Sequence, residues 1–193
     1  MRKDVLILVV LVLMSACVGD KYNKALPADT TADDLIPDIE GYTKYDATDT
    51  VTVIVDRVGS LGKNAPETVL QIAGRVAKFA ACMQARGASK EVGYYDVHLN
   101  DKNELVINFA AVGIGDKEEI TDLGNLAGCF GYAIGPLSIV AKERVCHEEF
   151  TIKSTVDNNE FFIVIMGLHE TLGEDSCKKV KEAIISKADS ISR

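Results

Sequence analysis

Three histidines, five cysteines and 29 carboxylates are the reactive groups of this 193-residue chain, and their spacing limits what they can do. His169-Glu170-Thr171-Leu172-Gly173 begins as a helical metal motif would, but glycine stands where the second ligand histidine belongs. Two histidines one helical turn apart are what hold such a metal, so this pattern predicts no zinc site. Cys146-His147-Glu148-Glu149 places soft and hard ligands side by side. Consecutive residues of a strand point to opposite faces, which disfavours joint ligation and favours a solvated polar run. Gly113-Ile114-Gly115 follows an expected strand and opens an expected helix, the setting of a phosphate loop. The third glycine is replaced by Glu118, and Asp116 and Glu119 crowd the helix N-terminus where an anion would sit. Carboxylates there repel phosphate and already satisfy the helix dipole. Ser60-Leu61-Gly62-Lys63 and Ser176-Cys177-Lys178-Lys179 match a Ser-x-x-Lys nucleophile pattern, but neither its Ser-Asp-Asn nor its Lys-Thr-Gly companion occurs. Ser176 is better read as helping to cap a helix, and His98 as a surface or edge residue of a strand. No catalytic set, cofactor or metal site emerges from the sequence.

The cysteines carry more information. Setting Cys17 aside, Cys82, Cys129, Cys146 and Cys177 are an even set, with no two at zinc-knuckle spacing. Four cysteines allow three pairings. On helices of 100° per residue, Cys82 and Cys129 fall on the flanks of apolar stripes, from which a side chain reaches a neighbouring element. Cys177 begins the last expected helix and Cys146 precedes the last expected hairpin. The favoured pairing is therefore Cys82–Cys129 with Cys146–Cys177.

Several elements must position these groups. Val51–Val58 is β-branched and fits a first strand or a short helix, with the strand favoured. Asn64, Pro66 and Glu67 open a helix, and Val69, Ile72, Ala73, Val76, Phe79, Ala80 and Met83 form its stripe up to Gly87. Val92–Leu99 and Leu105–Val112 form a hairpin. A helix follows over Lys117–Tyr132, capped by Asp116, with Gly124, Gly128 and Gly131 along one strip. A second hairpin, Phe150–Val156 with Glu160–Gly167, precedes a helix over Asp175–Ser190. Asp101-Lys-Asn-Glu-Leu-Val-Ile107 echoes Asp157-Asn-Asn-Glu-Phe-Phe-Ile163, as a repeated ββα unit would. The expected fold is α+β: a two-layer sandwich with an antiparallel sheet of about four strands and three helices on one face. With Val51–Val58 and a strand near Leu137–Ala141 added, the core becomes ferredoxin-like.

The N-terminus gives an address. Met1-Arg2-Lys3 is basic, Val5–Met14 is unbroken apolar sequence, and Ser15-Ala16 are small. These are the parts of a secretory signal peptide, and the apolar run is shorter than the roughly 20 residues that a membrane span needs. Leu13-Met14-Ser15-Ala16-Cys17 resembles the lipobox of prokaryotic lipoproteins. The resemblance covers residues 1–17 and implies cleavage before Cys17, a thioether-linked diacylglycerol on that cysteine, and usually an added N-acyl chain. It implies a place on the extracytoplasmic face of the cell membrane or envelope.

Three segments follow: a signal peptide (1–16), a lipid-anchored acidic tether (17–49) and one globular domain (50–193). In residues 18–49 eight carboxylates face three lysines, with Pro27 and Pro37 and little apolar periodicity. Such a segment is expected to stay a flexible coil, reaching about 30 Å from the lipid. The whole chain carries a net charge of −8. That argues against nucleic acid, which needs clustered lysine and arginine, and against a polybasic membrane face. The expected partners are the membrane, through Cys17, and an envelope protein or small ligand. The expected activity is binding, not catalysis. The alternative is an extracytoplasmic hydrolase or metal-dependent enzyme in which folding gathers His147, His169 and nearby carboxylates.

Overall fold

The computed structural model describes residues 19–61, 67–103, 105–121, 129, 145–168 and 175–192. Along the chain it places β1 (Asp20–Lys24), a 3-10 turn (Asp33–Leu35), β2 (Thr43–Tyr45), a second 3-10 turn (Ala47–Asp49), α1 (Thr50–Ser60) and α2 (Glu67–Gln84). Then come β3 (Ala88–Leu99), β4 (Leu105–Gly115), α3 (Lys117–Thr121), β5 (Val145–Ser154), β6 (Glu160–Leu168) and α4 (Ser176–Ile191). The α+β class is as expected. The sheet is larger: six strands among the described residues, in the order β1-β5-β6-β4-β3-β2. β1 lies parallel to β5, and every other neighbouring pair is antiparallel.

The two central strands explain why the protein has three layers where two were expected. Phe109 and Ala111 of β4 and Phe162, Val164 and Met166 of β6 are buried on one face. Ala110, Val112 and Ile114 with Phe161, Ile163 and Ile165 are buried on the other. A strand apolar at successive positions must be covered on both sides. The first face packs against Val58 of α1, Phe79, Ala80 and Met83 of α2, and Ile120 of α3. The second packs against Cys177, Val180, Ile184 and Ala188 of α4. The helices after the two hairpins therefore lie on opposite faces, which a repeated ββα unit would not produce. The hairpin turns differ as well, with the left-handed asparagine at Asn103 in one and at Asn158, a step earlier in the shared pattern, in the other.

Val51–Val58 is helical, not a strand, and the ferredoxin-like option falls with it. Val51, Ile54 and Val58 also recur at helical spacing, and the fully buried Val58 joins the core beneath α2. Packing overrides β-propensity here. The expected strand near Leu137–Ala141, the cap at Asn64 and the glycines at 124, 128 and 131 lie outside the described residues.

The largest correction concerns residues 19–49, expected to be a flexible tether. They supply β1 at one edge of the sheet and β2 at the other. Between them, residues 25–42 form a strap beside α4. Leu26 and Leu35 are fully buried, and Ala32, Ile36 and Ile39 nearly so. The Tyr94 hydroxyl donates to the Pro37 carbonyl (2.8 Å), and the Tyr42 hydroxyl donates to Ser176 Oγ (3.2 Å). Several of the acids that made the segment read as coil have cationic partners: Lys181 on Asp20 (2.8 Å), Lys90 on Asp33 (2.6 Å) and Lys44 on Asp38 (2.7 Å). Asp34 instead accepts from the Thr31 amide (2.8 Å) and hydroxyl (2.7 Å).

Candidate functional site

Where the strap reaches the β2 edge, a cleft of about 310 Å³ opens between Asp33, Ile36, Lys44, Tyr45, Asp46, Lys90, Glu91 and Val92. β2 pairs Lys44 with Tyr94 and Tyr45 with Gly93, which sets the wall of the cleft. Gly93 is required there, because a Cβ would come within 2.4 Å of the Tyr45 ring. That ring packs edge-on against Tyr95, with centroids 5.3 Å apart.

Glu91 is the unusual group in this cleft. Its Oε1 is buried without a hydrogen-bond partner among the described residues. Burial, and then the charge of Asp46, push its carboxyl above the ordinary glutamate range, with Lys90 opposing them. A buried oxygen without a partner costs free energy until something donates to it. Lys44 and Lys90 are each held by a strap aspartate, Asp38 and Asp33. Glu91 thus lines the cleft while its Oε1 is shut away from solvent and lacks a donor among the described residues.

The reactive residues singled out by spacing do not converge on it. Strand alternation holds at 146–149: Cys146 and Glu148 face α4, bonded to Cys177 and Lys181. His147 and Glu149 share the opposite side and pair with each other (3.1 Å). His98 pairs locally with Asp96 (2.9 Å), and His169 lies outside the described residues. Cys146, Cys177 and Asp175 gather closely enough for a metal, but the two sulfurs are bonded to each other and leave no thiolate. Asp175 instead caps α4, accepting from the Lys178 amide (3.1 Å), so the cap is Asp175 and not Ser176. Ser176 is buried against Tyr42, whose ring lies under Lys179 at 4.6 Å. Ser60 donates its hydroxyl to the Arg57 carbonyl. At Gly115 a Cβ would meet Ile120 and Ala88, and Asp116 accepts from the Glu118 amide (2.7 Å), which takes up an N–H that a phosphate loop would use.

Both disulfides have the favoured pairing. Cys82–Cys129 has a Cα separation of 5.5 Å and Cys146–Cys177 one of 5.8 Å. Among the described residues, no helix is long and apolar enough to cross a membrane. Comparison of the chain with family models, with curated proteins and with solved structures finds no match.

Lys44, Tyr45 and Asp46 carry no local signal of a cleft because they lie in the acidic segment that has the composition of a tether, and Glu91 because it precedes the expected strand from Val92. The apolar Leu35-Ile36 and Ile39, set among acids, were the available signal that this segment packs.

Proposed function

We propose that this protein is a lipid-anchored extracytoplasmic binding module, held to the membrane by diacylglycerol on Cys17. The observation that carries the reading is Leu13-Met14-Ser15-Ala16-Cys17 behind a short apolar run with a basic start. The two disulfides support it, since such bonds persist in oxidising compartments outside the cytoplasm. Binding is assigned to the cleft at the β2 edge, whose walls present Lys44, Lys90, Asp33, Asp46 and Tyr45 to a small ligand or to a side chain of an envelope protein. Growth with labelled fatty acid tests the anchor: label on the wild-type chain and none on Cys17→Ser is expected. Equal label on both, or none on either, overturns it. A search for turnover tests the binding role. A hydrolytic activity abolished by His147→Ala would overturn it in favour of an enzyme.

A further inference from the structure

The described fold begins two residues after Cys17. Gly19 already packs against β5, where a Cβ would come within 2.6 Å of the Glu149 carbonyl, and Asp20 pairs with Phe150. Only Val18 lies between Cys17 and this fixed point. Two residue steps span at most about 7 Å. The acidic segment that would have served as a spacer is instead folded into the sheet.

Strand register limits how such a body can stand on a membrane. β1 runs parallel to β5, so the chain leaves Gly19 toward the Val145 end of the sheet. Glu149 is level with Val164, and Val164 with Gly113. From Gly113, β4 continues in that same direction to Leu105, and the β3–β4 turn lies beyond. Eight residues of strand extend about 27 Å. A leash of about 7 Å cannot bridge that overhang, so an end-on stance would drive the Asn100–Asn103 turn into the bilayer. Standing on the edge that carries β1 avoids this overhang.

Resting on the reading of Cys17 as the anchor, we propose that the β1–β5 edge is the membrane-apposed surface and that the sheet stands on it, with the β2-edge cleft facing outward. The two edges are separated by five strand spacings, about 24 Å. The apposed edge needs no anionic lipid. Lys181 is shared by Asp20 and Glu148 (2.8 Å each), and Lys21 and Lys153 meet Glu160 (2.8 and 3.2 Å). The short covalent link alone sets the orientation.

The test uses the acylated chain in phosphatidylcholine vesicles that carry a headgroup-labelled acceptor lipid. A donor dye is placed through a non-natural side chain at Asn23, exposed on β1, or at Thr43, exposed on β2. Energy transfer from position 23 is expected to exceed that from position 43 by about twofold or more across the ~24 Å sheet. Inserting ten Gly/Ser residues after Val18, roughly 17 Å of added reach, should erase most of the difference. Equal transfer from the two positions, or a difference that the insertion leaves unchanged, overturns the orientation. The mass of the purified chain is read first: absence of acyl mass on Cys17 removes the anchor reading and this inference together. Acyl mass with equal transfer removes only the inference.

Discussion

The two faces of the sheet are closed in different ways. One is covered by helices, whose buried contacts include Val58, Phe79, Ala80, Met83 and Ile120, and is tied by Cys82–Cys129. The other is covered, among the described residues, by α4 and an irregular strap, tied by Cys146–Cys177. The first cover has helical periodicity of its own. The strap has none, and its apolar residues find their places because β4 and β6 offer a ready-made apolar surface. Periodicity therefore marks segments that organise themselves, whereas apolar content alone marks segments that are organised by something else.

The comparison can be broken by truncating each cover. Phe79→Ala on the helical face should destabilise the domain by about 3–5 kcal/mol in denaturant unfolding. Leu35→Ala in the strap, also fully buried, should cost about 2–5 kcal/mol. If the strap were a detachable tether, the second value would fall near zero while the first persisted. Replacing both Cys146 and Cys177 by alanine should cost about 2–4 kcal/mol, read as a lower unfolding midpoint that no longer responds to reductant at that bond.

A finer test is Tyr94→Phe, which removes the donor to the Pro37 carbonyl and should cost about 1–3 kcal/mol. The same change at Tyr22, on the exposed edge, should have little effect on unfolding. The smallest effect is expected at Glu91. Its pKa is raised in the folded protein, so the native state holds this proton more tightly than the unfolded chain does. That stabilisation is present below the unfolded value of 4.5 and is lost as pH rises through the folded pKa. Against wild type, Glu91→Gln should therefore gain relative stability across that window. A gain appearing on acidification would contradict the burial assigned to this carboxyl.

The hairpins, α2 and α4 were legible because their alternation, stripes and turn residues agree with one another. Even the disulfide partners followed, since two flanking cysteines on adjacent helical segments leave few ways to bond. Three things were not legible. Val51–Val58 has the composition of a strand and the spacing of a helix, and its packing beneath α2 decides between them. β6 reads as one strand of a hairpin, yet Phe161–Met166 is buried at every position, which calls for a second covering layer. The strap's charge hid its role, because pairing Asp20, Asp33 and Asp38 with Lys181, Lys90 and Lys44 depends on residues up to 161 positions away. The cleft inherits that blindness: its walls come from the strap, β2 and the start of β3, and no local pattern joins them.

The seating of β1 bears on the order of assembly. Asp20 meets Lys181 across 161 residues, and Lys24 meets Asp189 across 165. Contacts of such long sequence separation form late, because chain closure must precede them. The first described strand of the chain is then the last to be placed. Until α4 arrives, the apolar face that the strap will share with it stands open. During that interval the β5 edge, which native β1 finally covers, is available to a foreign strand.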